Sequence, residues 1–434
     1  MSKVLKFGGT SVGSETNMRK VAEIIRHEQA KVTVLSAMSG TTDSLVKISS
    51  DAKNGKNCSA TILLLKNKYD TCIQNLLSQY KEEALKKAEE VFSSIKTKVH
   101  NYKGISTERE ILAQGELLTS AIFTFFLKES GLKAVLLNIP DYMHLNEEHT
   151  VNTDYLEKSI RPIIETSDDD TYFVTQGFIC KNANGELDNL GRGGSDYSAA
   201  LIGAAINASE VQIWTDIDGM HNNDPRYVEN TYPIHKMSFD EAAELAYFGA
   251  KILHPATIQP CKEHGIAVRL KNTMAPQAEG TLITNSGDSE KKFHAVAAKD
   301  NITVIRICSA RMLMAYGFLR KVFEIFENYK TPIDMITTSE VAVSLTIDND
   351  EHLSEIVEEL KTLGNIEIEK GNTIICVVGK LDHSKSGLVA RILESINNIP
   401  IKMISYGASN RNVTFLISSE NKKEALQFLN NHLF

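Results

Sequence analysis

The chain has few cysteines, and they form no metal or redox pattern. Cys58, Cys72, Cys180, Cys261, Cys308 and Cys376 include no CxxC pair and meet no histidine at zinc-ligand spacing. They read as reduced thiols of a cytoplasmic protein, not as a disulfide framework. Long apolar runs are missing too. None approaches the ~18 residues that span a bilayer, and Lys3 and Lys6 lead into no apolar segment of the secretory type. There is no excess of positive charge. Forty-seven Lys and Arg against 55 Asp and Glu leave a net charge of -8, which argues against nucleic acid or an anionic membrane as partner. No segment is of low complexity. What is present is 434 residues, 42% hydrophobic and 24% charged, enough for about two or three domains with real cores.

The chain opens with its most informative stretch. A short apolar strand over 4–7 runs straight into Gly8-Gly9-Thr10-Ser11-Val12-Gly13, and a helical pattern follows near 17–27. Glycine lets a backbone approach a phosphate, and the amides at a helix start carry partial positive charge. Lys6 adds a full charge beside the turn. The same pattern also suits a tight turn in an ordinary βα unit. It is not a P-loop, because Ser14-Glu15 stand where Lys-Ser/Thr is needed.

A second strand, 31–35, enters Ser36-Ala37-Met38-Ser39-Gly40-Thr41-Thr42-Asp43, a loop at the carboxyl end of a strand, where ligands bind in open α/β sheets. Residues 44–106 read as a helical insertion with a solvated Lys/Glu face. Another helix opens at Ser106-Thr107-Glu108-Arg109-Glu110 with capping-box character, and carries Gln114-Gly115-Glu116. Gly115 there costs about 1 kcal/mol against Ala. A ligand or a close helix crossing equally explains it. Strands over 133–138 and 172–176 come next.

Two further motifs stand out. Gly191-Arg192-Gly193-Gly194-Ser195-Asp196 precedes a helix of small residues, which makes a second anion-ready helix start with a guanidinium able to grip a carboxylate. Asp196 is either a helix cap or an orienting partner for a lysine. Then a strand over 210–216 ends in Trp214-Thr215-Asp216 and leads to His221-Asn222-Asn223-Asp224-Pro225-Arg226. Downstream stands Phe248-Gly249-Ala250-Lys251-Ile252. His254 precedes Pro255 and reads as extended and structural.

In this order and spacing, Lys6 to Val12, Gly191 to Asp196, Trp214 to Asp216 with Asp224 to Arg226, and Gly249 to Lys251 closely resemble the aspartokinases of the amino acid kinase family. The resemblance covers essentially the whole chain. It implies the amino acid kinase fold, a mainly parallel open sheet with helices on both faces, over 1–289. It implies transfer of a phosphoryl group from ATP to L-aspartate, with Mg²⁺ held mainly by the phosphates. The nucleophile is a carboxylate, ionised at neutral pH because its ordinary pKa is about 4, so no general base is required. Lys6 and Asp196 are the implied catalytic pair. ATP would meet Lys6, Phe7, Gly8, Gly9, Thr215, Asp216, His221, Arg226, Lys251 and Ile252. Aspartate would meet Ser36, Thr42, Glu116, Arg192, Gly193, Gly194 and Ser195. Many relatives have Tyr where this chain has His221.

From about residue 290 the pattern changes to two βαββαβ units. The first has strands over 302–308, 332–338, 341–347 and 366–370, with helices over 317–329 and 353–363. The second has strands over 373–378, 401–406 and 413–417, with helices over 387–396 and 423–432, and lacks a sixth element. The unclaimed strand 294–299 fills it, which nests the unit 301–371 inside one made of 293–300 and 372–434. This resembles the paired, ferredoxin-like ACT domains of the lysine-inhibited, monofunctional aspartokinases. The resemblance implies a homodimer through the ACT domains, able to pair into a tetramer. It also implies an L-lysine site at Met312, Ala315, Gly317, Phe318, Ile333, Asp334 and Thr338. Ala315 stands where relatives often have Ser. No reductase-sized region follows Phe434, which speaks against the bifunctional type. The competing readings are an amino-acid-binding regulatory protein with an inactive kinase domain, and a kinase for another small carboxylate. Glu116 with Arg192 favours an α-amino acid.

Overall fold

The computed structural model describes residues 2–191, 193–249, 253–288, 291–312, 316–382 and 384–434. The chain forms two units, one of residues 1–220, 235–239 and 253–287, the other of 221–234, 240–252 and 288–434.

Alternating strands and helices build the first unit. In chain order they are β1 (Lys3–Phe7), α1 (Glu15–Glu28), β2 (Val32–Leu35), α2 (Thr41–Lys53), α3 (Ser59–Leu76), α4 (Lys81–His100), α5 (Ile105–Leu112), α6 (Gln114–Glu129), β3 (Lys133–Leu137), α7 (Thr153–Glu165), β4 (Thr171–Gln176), β5 (Ile179–Lys181), β6 (Leu187–Asn189), α8 (Gly194–Ala205) and β7 (Glu210–Thr215). They continue with β8 (Lys236–Ser238), then α9 (Phe239–Tyr247), which from Asp240 on belongs to the second unit, and, back in the first, α10 (Gln259–Glu263), β9 (Ala267–Asn272) and β10 (Thr281–Thr284). Among the described residues the main sheet has eight strands in the order β3-β4-β2-β1-β7-β9-β10-β8, and β5 and β6 form a separate hairpin. Every pairing in the main sheet is parallel except β9 with β10. β1 lies near its centre, with Val4, Leu5 and Phe7 fully buried. Burial on both faces is why that strand reads as a continuous apolar run.

The helical stretch packs its apolar faces into the same core as α1. Ile62, Leu65, Tyr69, Val91, Phe92 and Ile95 meet Met18, Val21 and Ile25 there. The single helix expected from residue 106 begins one residue earlier, is capped by Gly104 and is interrupted at Ala113. Thr107 uses its hydroxyl to accept from the Lys103 amide instead of closing a capping box. By length and composition the run Ile105–Glu129 is apolar enough to cross a membrane, which the sequence reading missed, but most of it is buried inside the protein.

The second unit continues with β11 (Phe293–Cys308), α11 (Phe318–Asn328), β12 (Ile336–Thr338), β13 (Ala342–Ile347), α12 (Leu353–Leu360), β14 (Asn365–Gly379), α13 (Leu388–Ser395), β15 (Met403–Ser405), β16 (Asn412–Ser418) and α14 (Lys422–Leu433). Among the described residues these strands form one antiparallel sheet of six, ordered β12-β13-β11-β14-β16-β15. The expected strands 294–299 and 302–308 are one strand, β11. The expected strands 366–370 and 373–378 are likewise one, β14. Register shifts near Lys299, Ile302 and Val304 mark where the ladder passes from one half to the other. The expected strand 332–338 shortens to its last three residues. Two cores result, one around Ile305, Phe326, Val343 and Leu360, the other around Ile375, Phe415, Leu426 and Leu429.

Segments 221–234 and 240–252, which the sequence reading grouped with residues 1–289, join the second unit. Side chains explain the first of these. Asn222 and Asn223, both buried, donate to Asn430 Oδ1 at 3.0 Å and to the Leu426 carbonyl at 2.9 Å on α14. Tyr227 and Val228 pack into the core beside that helix.

Candidate active site

The first unit brings its signature residues together at the carboxyl end of β1. Lys6 ends almost buried there, and its Nζ lies 2.7 Å from Asp196 Oδ1 in the first turn of α8. Negative charge is favoured at that helix end, so the aspartate is well placed to hold a cation. The two side chains keep 10% and 13% exposure, so the pair is sheltered but not sealed. Phe7 contributes backbone only. Its ring is buried and stacks on Trp214 at 5.8 Å.

The glycine turn behaves differently at its two positions. The Gly8 amide donates to the Trp214 carbonyl at 3.2 Å, which extends the β1–β7 ladder by one bond. That amide is therefore committed, contrary to the expectation that both glycine amides face phosphate. A side chain at Gly8 would stand 3.7 Å from Lys6 Nζ. Gly9 lies against the Ala37 carbonyl, where a Cβ would come to 2.8 Å. Packing thus requires that second glycine. The register pairs Phe7 with Trp214 and so sets Thr215 and Asp216 beside Gly8. Thr215 closes a local turn with its Oγ1 accepting from the Ile217 amide at 3.2 Å, and Asp216 is exposed.

On the other side of β1, the loop after β2 meets α6 and α8. Ser36 Oγ donates to Ser195 Oγ at 3.0 Å. Glu116 is 4% exposed and accepts from the Ala37 amide at 3.2 Å. Burial pushes its carboxyl up from the ordinary 4.5 to about 7, against the pull of that amide. Among the described residues no lysine, arginine or histidine pairs with it. Tyr69 ties the loop down, with its hydroxyl 3.1 Å from Thr41 Oγ1 and 3.0 Å from Thr119 Oγ1, which in turn accepts from the Met38 amide. Gly115 is a close crossing. A Cβ there would meet Ala37 Cβ at 2.8 Å and Thr41 Cγ2 at 3.0 Å. Thr42, expected in the pocket, is exposed on the first turn of α2, whereas Thr41 is buried.

Gly193 caps α8 with φ +71°, and Gly194 is buried against Phe178. Phe178 itself has φ +70°, an uncommon conformation for a bulky residue. Its amide is held by Ser198 Oγ at 3.1 Å. Nothing in the sequence signalled that strain. Beside this loop a cavity of about 410 Å³ is lined in part by Arg109, Asp188, Leu190 and Tyr197, with Arg109 already paired to Asp188 at 2.7 Å.

Four expected site residues, Arg192, Lys251, Ile252 and Ala315, lie outside the described residues. His221 and Arg226 belong to the second unit. His221 Nδ1 is 3.2 Å from Thr231 Oγ1. Arg226 is exposed and forks onto Asp224 two residues away, with bonds of 2.7–3.2 Å.

The expected effector residues form a separate group in the second unit. Met312, Phe318 and Ile333 pack in the core of its first half, Gly317 caps α11 with φ +81°, and Thr338 is exposed on β12. Asp334 is nearly closed off, at 1% side-chain exposure, and is paired to Lys299 at 2.6 Å. Lys299 and Tyr247, which also touches Asp334, were missed by sequence reasoning. Each lies about 35 residues or more from it in the chain, and spacing carries no signal over that distance.

A parallel sheet with a lysine at the end of a central strand, an aspartate on the facing helix start and paired serine hydroxyls on the neighbouring loop and helix suits phosphoryl transfer. The amino acid kinase family profile matches residues 1–272, and an ACT domain profile matches residues 375–433. At full length the chain is 33% identical to aspartokinase 1, chloroplastic, of Arabidopsis thaliana, covering 99% of this chain and 80% of that one. The crystal structure of E. coli aspartokinase III with aspartate and ADP superposes with a TM-score of 0.85 at 31% identity, covering all of both chains. The same enzyme with lysine and aspartate gives 0.83 at 32%, covering 100% of this chain and 99% of that one. The chain belongs to the aspartokinases of the amino acid kinase family.

Proposed function

We propose that the protein transfers the terminal phosphoryl group of ATP to the side-chain carboxylate of L-aspartate, giving 4-phospho-L-aspartate and ADP, and that L-lysine restrains it through the ACT region. The Lys6–Asp196 pair at the mouth of the parallel sheet carries this reading. The acceptor is an ionised carboxylate, so the site has no proton to remove. Its work is to hold two anions in line and to neutralise charge on the moving group. Lys6 does the second. Asp196 aims the ammonium, and Gly8 leaves room beside it.

Ser36, Glu116 and Ser195 form the acceptor side. The substrate's ammonium faces Glu116 and drives that carboxyl to ionise on binding, which a buried acid near pH 7 readily does. Arg192 takes the α-carboxylate, with Gly193 and Gly194 giving the loop its close approach. Thr215, Asp216, His221, Arg226, Lys251 and Ile252 serve the nucleotide, and Thr42 lies at the margin of the pocket. The groups that meet at Lys6 are its own ammonium and a carboxylate already paired with it. Such a set fits Mg²⁺ that arrives on the phosphate oxygens and supplies charge neutralisation there. The domains are a kinase region to about 289, from which segments 221–234 and 240–252 join the second compact unit, and nested ACT units over 301–371 and over 293–300 with 372–434. Homodimerisation through the ACT units, tetramer formation and a cytoplasmic place in lysine, threonine and methionine biosynthesis complete the proposal.

The test is ADP release from Mg·ATP with L-aspartate as acceptor, with and without L-lysine. Aspartate-dependent turnover suppressed by lysine is expected. Folded protein without aspartate-dependent turnover would overturn the kinase assignment and leave the amino-acid-binding reading.

A further inference from the structure

The cavity beside β6 lies on a different side of α8 from the acceptor residues. Tyr197, which lines it, stands two residues after Ser195 and so about 200° around that helix. Ser36, Glu116 and Ser195 are not among the described residues that line it. Its volume of about 410 Å³ falls in the range of small-molecule sites, roughly 300–1,000 Å³. Leu145, Val151 and Leu190 give it an apolar wall.

Its polar groups are mostly donors that the fold's own bonds leave over. Asp188 is buried and holds Arg109 from within. Its Oδ2 accepts from Arg109 Nη1 at 2.7 Å, and its Oδ1 accepts from the Asn189 amide at 2.7 Å. Both carboxylate oxygens are thereby used. The other N–H groups of Arg109 have no partner among the described residues. Asn189 Oδ1 accepts from the Gly191 amide at 3.2 Å, which leaves the Nδ2 end over. The Tyr197 hydroxyl has no partner among the described residues either, and burial pushes its pKa up, so it stays a donor. His149 adds a separate sign of construction. Its φ is +58°, a conformation that persists in a non-glycine residue where the surroundings impose it. Asn146 imposes it here: its Oδ1 accepts the amides of Glu148 at 3.1 Å and Thr150 at 2.9 Å, and its carbonyl accepts the His149 amide at 3.1 Å. The imidazole that this turn sets at the cavity carries an N–H in either protonation state.

A guanidinium fixed on one side by a buried carboxylate and free on the other is prepared for a bidentate anion. The one carboxylate among these residues is already used twice, so an ammonium finds no charged partner. We propose that this cavity is a second small-molecule site, for an anion that carries a carboxylate or phosphate and no ammonium, gripped by Arg109 and met by Tyr197, His149 and Asn189. Its demand is opposite to that of the acceptor side, where Glu116 is to face an ammonium. The site does not rest on the kinase reading, since neither its residues nor its test involve nucleotide or turnover.

The test is calorimetric titration of the full-length chain with succinate and, separately, with inorganic phosphate. The proteins are the wild type, Arg109→Gln, Tyr197→Phe and Lys6→Met, and hydrogen exchange places the probe. At least one probe is expected to bind with a Kd on the order of 1 mM, the scale of a few charge-assisted bonds at an open site. Arg109→Gln should weaken it more than about 10-fold and Tyr197→Phe about 3-fold. Lys6→Met should leave it unchanged, because Lys6 is not at this cavity. Exchange of amides 145–151 and 187–191 should slow when the probe is added. Arg109→Gln leaves Asp188 buried without its cation, so Arg109→Gln combined with Asp188→Asn takes its place if the single variant unfolds. Succinate binding without phosphate would make the ligand a carboxylate, and the reverse a phosphate. The proposal is overturned if neither probe binds up to about 50 mM, if folded Arg109 variants bind like the wild type, if Lys6→Met abolishes binding, or if exchange over 145–151 and 187–191 does not change.

Discussion

Lys6 and Asp196 in the first unit approach to 2.7 Å, and Lys299 and Asp334 in the second to 2.6 Å. The pairs look alike by distance and differ in their company. Asp196 stands on a helix start and is the one carboxylate that Lys6 meets among the described residues, at a partly open strand end. Lys299 instead has two carboxylates and an aromatic face, and its aspartate has a phenol as well. A cation with one partner can be turned toward an arriving phosphate. A cation with three is fixed, and what can change around it is the weakest of its neighbours' bonds. Availability, not closeness, is what the pair proposed as catalytic has and the second pair lacks.

The largest effect expected from this contrast is at Lys6. Lys6→Met should lower kcat on the order of 10³-fold, as loss of a charge aimed at the reacting group does, with an unchanged circular dichroism spectrum. Near-normal turnover in the ADP-release assay would break the comparison.

Glu116 is the intermediate case, a buried carboxylate with no cation of its own among the described residues. Glu116→Gln should raise the KM for aspartate about 100-fold, the scale of one lost charge-assisted bond. It should also stabilise the fold above neutral pH. With its pKa raised from 4.5 to about 7, the carboxyl costs the folded state nothing below about pH 4.5 and progressively more as pH rises through 7. The full cost is at most about 3 kcal/mol. Urea midpoints of the two proteins should therefore coincide near pH 4.5 and diverge by pH 8, with the variant higher. Parallel curves would show that Glu116 is already paired.

The smallest effect belongs to the redundant partner. Asp348→Asn should change stability by less than about 1 kcal/mol and leave kcat unaltered, because Lys299 keeps Asp334 and Asp348 is partly exposed. Thermal unfolding and the same assay check it.

Much of this was legible in the sequence where local rules govern. The strand before Gly8 and the helix after Gly193 follow from periodicity and glycine placement, and the return of the strand over 294–299 to close the second ACT unit follows from counting elements. The Lys6–Asp196 pair came only through the family resemblance, since the two residues lie 190 positions apart and spacing carries no signal over that distance. What stayed hidden depends on side chains meeting across the fold. The Gly8 amide proved to be a ladder bond, which only the register of β1 on β7 decides. Asn222 and Asn223 read as part of the loop between Asp216 and Arg226 and proved to be anchors onto α14. Thr41 and Thr42 are indistinguishable as letters, and the phase of α2 buries the first and exposes the second. Tyr247 and Lys299 carried no motif at all.

The two long strands of the second unit have a consequence for how the chain comes into being. β11 spans 16 residues and β14 spans 15, and each serves both ACT units. On a ribosome, the inner unit has all its parts once residue 371 has emerged. The first half of β11 has none of its sheet partners until residues 372–379 follow, and β16, which covers the far edge of β14, comes later still. During that interval an apolar strand edge waits uncovered, the kind of surface that recruits other chains. A pause in translation just after residue 371 would prolong the exposure, and the outer ACT unit is where a nascent chain of this protein is most in need of a chaperone.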